Sequence, residues 1–266
     1  MRPALSEKRE VIFAVLLKGK EDTMLKQNYF QKLDALLKQI RTDLSDPIDK
    51  AAEAISHAIS SGGAIHLYDT GHLLDSEFIG RAGGMMCFNR LRGELTVENG
   101  GRSRPADGRK DSSMEGLMRY VLKKSRVQPG DVLVIGSVSG KSALPVDLAL
   151  TAREMGITVI ALTSVSYSSM LKSDHSSGKR LFEAADIVLD NCAPPLDAMV
   201  EVPELSVSIC PASGISAAVI IWAVTAQVVE NLTAKGIRPT IYKSINFPGT
   251  AEFNEKEYKR YQETGY

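Results

Sequence analysis

Apolar and polar positions along this chain fall into blocks whose period switches between helix and strand. Met24 opens the first clean block, with Leu25, Phe30, Leu33, Leu36, Leu37 and Ile40 on one helix face. Asp46 followed by Pro47 predicts an N-cap with proline at the first helical position. That second helix runs through AAEAISHAIS to Gly62-Gly63. From there strands and helices alternate. Strands are expected at 64–68, 85–89, 131–137, 157–162, 187–189, 207–210 and 240–245. Helices are expected at 73–82, 113–125, 142–155 and 177–184, with a long one that Ser213 caps and that runs to about residue 233. The run Val132–Ile135 is apolar at every position, as a parallel strand buried on both faces requires. The pattern predicts an α/β three-layer αβα sandwich with a mainly parallel sheet and a helical N-terminal addition. Residues 1–23 are expected to form an N-terminal arm or extension, 24–252 the domain with its N-terminal helices, and 253–266 a charged, tyrosine-rich tail.

Composition narrows the class. The 266 residues carry 32 basic and 32 acidic side chains, a formal net charge of zero. This argues against nucleic-acid binding through bulk charge. Arg102, Arg104, Arg109 and Lys110 form a local basic stretch in a polar loop over 92–111. Cys87, Cys192 and Cys210 have neither metal-ligand spacing nor a disulfide framework, as expected of a reducing cytoplasm. No apolar run approaches the roughly 18–20 residues that span a bilayer, and VIFAVLL at 11–17 lacks the features of a signal peptide. A cytoplasmic chain with no membrane partner is expected.

The chemistry concentrates at two strand ends. After Val132–Ile135 comes Gly136-Ser137-Val138-Ser139-Gly140-Lys141-Ser142, and helical periodicity resumes at Leu144, Val146 and Leu148. Hydroxyls, a glycine and a lysine therefore sit at a helix N-terminus. Free N–H groups and the helix dipole there suit a phosphate, carboxylate or sulfonate. A plain serine cap is the alternative. The loop is not a Walker loop, since Ile135 stands where the first glycine belongs. The second loaded end is Asp69-Thr70-Gly71-His72, after AIHLY. Asp190-Asn191 ends a further strand, where sugar hydroxyls could be met. His66 alternates within its strand and reads as a packed core residue. No H-E-x-x-H pattern is present, and neither a metal nor any other cofactor is expected.

The turn YDTGHLLDSEFIGRAGG together with GSVSGKS and HSSGKRLFEAADIVLDN resembles the SIS, or sugar isomerase, domain family. The likeness is greatest to an uncharacterised bacterial SIS group and covers about residues 24–254. Phosphoheptose isomerases and N-acetylmuramic acid 6-phosphate etherases are more distantly similar. The resemblance implies a phosphosugar-binding sandwich, a homodimer or homotetramer with sites at subunit interfaces. It implies that Ser137, Ser139 and Ser142, with the Gly140 backbone, hold the sugar phosphate, and that Ser213 starts a helix near the ligand. Glu77 and Arg81 match the glutamate and arginine spacing of the heptose isomerases. One departure stands out. The family often carries Gly-x-Gly-x-Ser at the first turn, whereas here Leu73 replaces the serine and Asp69 would oppose a phosphate. A shifted phosphate site, an unphosphorylated substrate or another anionic group would each fit, with Lys141 as compensating charge.

The expectation is an aldose–ketose isomerase acting through an enediol. Glu77 is the candidate base and His72 or His175 the candidate acid, each histidine lying in a turn rather than on a helix face. Thr70, Gly71, Arg81, Ser137, Ser139, Gly140, Lys141, Ser142, Asp190, Asn191 and Ser213 are the candidate binding residues. A lyase or etherase using the same proton abstraction, and a non-catalytic phosphosugar sensor, are the alternatives.

Overall fold

A computed structural model describes residues 24–71, 73–96, 98, 101–102 and 114–266. The expectations for residues 1–23, His72, Arg104, Arg109 and Lys110 lie outside the described residues. Two helices open the fold, α1 (Leu25–Asp43) and α2 (Ser45–Ser60). The α/β part follows as β1 (Ile65–Asp69), α3 (Asp75–Phe78), β2 (Phe88–Arg90), α4 (Leu117–Lys124), β3 (Val132–Gly136), α5 (Ala143–Glu154), β4 (Thr158–Thr163), α6 (Val165–Ser169), α7 (Leu181–Ala184) and β5 (Ile187–Asp190). A hairpin, β6 (Ala198–Val200) and β7 (Ile209–Pro211), precedes α8 (Ser213–Ala234) and α9 (Thr250–Thr264).

The five strands β1–β5 form one parallel sheet in the order β2-β1-β3-β4-β5. The chain builds outward from β1 to β2, then returns to place β3 on β1's other side. Neighbouring loops therefore part company between β1 and β3, and the gap beyond their carboxyl ends is where an open α/β sheet receives ligands. Alternate residues of the strands serve opposite faces. Ile65, Leu67, Val132, Val134 and Ile160 pack with α2 and α8, while Leu133, Ile135, Val159 and Ala161 pack with α4, α5 and α7. These are the two outer layers of an αβα sandwich. His66 lies buried in β1, with Nε2 3.0 Å from Asp131 Oδ2.

Several elements differ from the sequence expectation. Helix α2 starts at Ser45, so Asp46 and Pro47 occupy its first turn, where a missing N–H removes no intrahelical bond. The expected helix 73–82 shrinks to α3, because Ile79 is extended and Gly80 has φ +72°. The expected helix 177–184 shrinks to α7, since Gly178 has φ +72° and the preceding segment folds as hydrogen-bonded turns. Strand 85–89 becomes β2, displaced toward Arg90. Met85 instead bridges Ile241, the vestige of the strand expected at 240–245. Helix α8 has, by length and composition, enough apolar residues to cross a membrane, a property the sequence reading did not assign to any run. Its residues Ile220, Val224, Val228 and Leu232 are buried against the domain core. Each such side chain contributes about 1.5–3 kcal/mol of burial.

Candidate functional site

The loop between β3 and α5 is held from beneath. The Ser137 N–H donates to Leu162 O at 3.0 Å, and Val138 O accepts from Ser164 N and from Thr163 Oγ1. Gly140 has φ +56°, and a Cβ there would lie 2.8 Å from Thr163 Oγ1. Its carbonyl accepts the Leu181 N–H at 2.8 Å, which ties the loop to α7. Lys141 accepts the Asp174 N–H at its carbonyl, and its ammonium pairs with the Asp174 carboxylate at 2.9 Å. Ser142 takes the N-cap position of α5 with extended backbone, yet its side chain makes no capping bond and is exposed. The first turn of α5 carries no acidic side chain. Pro145 carries no N–H, so the free donors of this helix end are those of Ala143 and Leu144, which with the positive end of the dipole and an uncommitted hydroxyl suit an anion.

That helix end opens on a cleft of about 910 Å³ at the β1/β3 junction. Tyr68–Gly71 from the end of β1, Asp75 from α3, Leu91–Glu94 after β2 and Ser142–Pro145 from α5 form its walls, with Met114 and Asp174. Burial and the neighbouring Asp69 push the Tyr68 phenol up from its ordinary value, so it stays a neutral donor. The turn after β1 differs from the helix end opposite. Asp69 Oδ1 accepts from Gly71 N at 3.1 Å, and Oδ2 accepts from Leu74 N at 2.7 Å and Asp75 N at 3.3 Å. The donors that a first-turn anion would use are already bonded to the chain's own carboxylate.

The candidate residues do not all converge. Thr70, Gly71 and Ser142 line the cleft. Thr70 also ties β1 to β3 through its hydroxyl, which donates to Gly136 O at 3.2 Å. Ser137, Ser139, Gly140 and Lys141 precede Ser142 in the loop but lie outside the lining, with Ser137 and Gly140 buried. Glu77 lies outside the described lining, its Oε1 3.2 Å from Arg81 Nη2 and 3.4 Å from Trp222 Nε1. The His175 ring is enclosed. Its Nδ1 accepts the Ser177 N–H at 3.0 Å, and its Nε2 lies 3.8 Å from Glu115 and 3.9 Å from Asp147. Asp190, on the far edge strand, receives Val165 N and Cys192 N on Oδ1. Asn191 is fully buried beside it and receives Ala193 N. Ser213 is not the N-cap of α8. It lies inside the first turn, and Asp197 does the capping, accepting Ala212 N, Ser213 N and the Ser213 hydroxyl.

Sequence reasoning missed Asp75, Arg90 and Arg92. Asp75 Oδ2 pairs with Arg90 Nε at 3.0 Å and Arg92 Nη2 at 3.2 Å. The signal was the alternation Arg90-Leu91-Arg92 at a strand end, which sends both guanidinium groups to one side and Leu91 to the other. Among the described residues no group of three His, Cys, Asp or Glu side chains is placed to hold a metal ion.

The family profile "SIS domain" matches residues 28–164. The chain belongs to the SIS domain family. Over 239 residues this SIS-family chain is 35% identical to a UPF0309 protein of Shouchella clausii, covering 89% of this chain and 96% of that one. A UPF0309 protein of Streptomyces griseus is 36% identical over 247 residues, covering 91% and 97%. Among solved structures, a phosphoheptose isomerase from Francisella tularensis aligns with a TM-score of 0.47 at 15% identity, covering 76% of this SIS-family chain and 95% of that chain.

Proposed function

We propose that this SIS-family protein binds a sugar carrying a phosphate or another anionic group at the serine loop and isomerises it between aldose and ketose forms through an enediol. The observation that carries the reading is the N-terminus of α5, where the Ser142 hydroxyl makes no capping bond and the Ala143 and Leu144 N–H groups are free in the lining of the β1/β3 cleft. Ser137, Ser139 and Gly140 complete the cradle, and Lys141 adds charge. Thr70 and Gly71 line the sugar's path. Glu77 is assigned the base that removes the proton from the carbon next to the carbonyl, and His72 or His175 the donor to the oxygens. Because Glu77 lies against Arg81 and Trp222, outside the lining of one chain's cleft, the reacting carbons are assigned to the junction of two copies in a homodimer or homotetramer. A lyase that expels a substituent after the same proton abstraction would use the same residues. The reaction needs no cofactor, and the cytoplasm is the compartment proposed.

A second reading is supported by the enclosed ring of His175 and the paired carboxylate of Glu77. In it the protein is a phosphosugar-binding sensor that performs no turnover. A thermal-shift screen of sugar phosphates, other anionic sugars and free sugars, followed by hydrogen–deuterium exchange in heavy water on each hit, separates the two. A ligand that takes up deuterium beside its carbonyl, with exchange lost in Glu77→Gln, is the expected result. Stabilisation without exchange would establish the sensor instead, and stabilisation by free sugars alone would overturn the anion site.

A further inference from the structure

The wall of the cleft opposite α5 carries a second charged device. Among the described residues Arg92 is the one cationic side chain lining the cleft. Its position is fixed on three sides. The Leu91 N–H continues the β1 ladder, donating to Leu67 O at 2.8 Å. At Gly93 the backbone runs so close to α4 that a Cβ would fall 2.5 Å from a Val121 methyl. Asp75, whose side chain is only 18% exposed, holds the Arg92 guanidinium by one contact at 3.2 Å, while Arg90 braces the same carboxylate. A guanidinium has five N–H donors in a planar fork. One contact to Asp75 leaves the rest available, and the Arg92 side chain is 61% exposed.

Resting on the anion-site reading above in its sensor form, we propose that Arg92 is a specificity-determining residue that recognises a carboxylate at the far end of the bound molecule, so that the ligand class is a sugar-acid phosphate, whose terminal carbons carry phosphate and carboxylate and leave no aldehyde carbon to isomerise. Arg92 follows β2 and the α5 N-terminus follows β3, on either side of β1, and both line the cleft, one as a braced guanidinium and the other as an anion receiver. Asp69 is committed to backbone N–H groups and Asp174 to Lys141, so neither competes for Arg92. A carboxylate fits the fork with two parallel hydrogen bonds. A second phosphate, with up to twice the charge, would meet more repulsion from Asp69 and Glu94, the lining carboxylates other than the ion-paired Asp75 and Asp174.

Ligand pairs that differ by one group test this. Aldonic acid phosphates and alditol phosphates of five, six and seven carbons, each phosphorylated on the terminal carbon, are titrated calorimetrically into the full chain at one ionic strength. In at least one pair the acid binds about tenfold tighter or better, the size of one charge-assisted paired contact. Arg92→Gln brings that pair to within about twofold, Arg92→Lys retains part of the difference, and Glu94→Gln widens it. Equal binding of acid and alditol by the parent protein overturns the proposal and leaves the phosphate reading standing. So does a preference that survives Arg92→Gln, or an equal loss for both ligands, which would make Arg92 a phosphate contact. Failure of every phosphate to bind overturns both readings.

Discussion

Asp69 and Leu74 are joined by a hydrogen bond of 2.7 Å in which the aspartate carboxylate accepts the leucine N–H, closing the turn that leaves β1. The same carboxylate receives Gly71 and Asp75, so these turn N–H groups are already bonded within the chain. Asp69→Ala removes three acceptor contacts and is expected to destabilise the fold by about 1–3 kcal/mol. Asp69→Asn keeps one acceptor oxygen and loses less. Denaturant unfolding of the two variants checks the order, and an Asp69→Ala protein as stable as the parent would show the turn to be held by other means.

Ser142 separates a cap from a ligand contact. Its hydroxyl makes no bond to the helix it precedes. Ser142→Ala therefore costs only a few tenths of a kcal/mol in stability, below the ~1 kcal/mol of a working serine cap. It is expected to weaken binding of a sugar phosphate about tenfold, as loss of a hydrogen bond to a charged group does. The reverse pattern, lower stability with unchanged binding, would return Ser142 to the role of a simple cap.

What the sequence disclosed follows from how far apart the interacting residues are. The strand Val132–Gly136 was legible because every side chain is buried, leaving an unbroken apolar run. The serine loop was legible because its residues are contiguous. The α5 and α8 helices were legible from apolar spacing that local glycines terminate. Segments 73–82 and 177–184 looked helical by composition, but Gly80 and Gly178 adopt positive φ and stop regular structure at a few residues. The β6–β7 hairpin was only half seen, because Ile209 is exposed and its partner strand follows a prolyl turn with positive φ at Leu196 and Asp197. The Arg90-Leu91-Arg92 alternation put both arginines on one side, but nothing local named Asp75, 17 residues earlier, as their partner, or brought Asp197 to the start of α8, 16 residues on. Those contacts arise only once the sheet has brought loop ends together.

Gly140 is required twice over. Its φ of +56° is strained for any residue with a Cβ, and that atom would lie 2.8 Å from Thr163 Oγ1, 3.1 Å from Ser168 Oγ and 3.2 Å from Leu181 Cβ. Gly140→Ala is expected to lower stability by about 2–4 kcal/mol, combining left-handed backbone strain with overpacking. Thr163→Ala removes the nearest obstacle but not the backbone term, so Gly140→Ala should cost less, though not nothing, when measured against Thr163→Ala, which itself loses the hydroxyl bond to Val138 O. Thermal unfolding of the single and double variants measures this. Full recovery would assign the whole effect to the clash, and no recovery would assign it to the backbone.

Glu257 fixes the C-terminal helix to the domain through charge. Its side chain is 8% exposed and pairs with Arg260 at 2.8 Å and Arg238 at 3.1 Å, while Tyr261 on the same helix bonds Asn89 at the edge strand β2. The Arg260 hydrogen bond leads the causes that hold the Glu257 carboxyl below its ordinary value of 4.5. A carboxyl lowered in the folded state binds protons more readily when unfolded, so its contribution is fully present above pH 4.5 and is lost as the pH falls through the lowered value. Glu257→Gln keeps the shape but removes the charge, at an expected cost of about 1–3 kcal/mol near neutrality. The stability gap between parent and variant should then narrow as the pH drops below 4.5. Urea unfolding at a series of pH values reads that gap directly, with proteolysis of the segment before α9 as an independent measure of its detachment. Parallel curves for the two proteins across the acid range would show that Glu257 contributes packing alone, and that the apolar contacts of Tyr261 hold the helix without help from the charge.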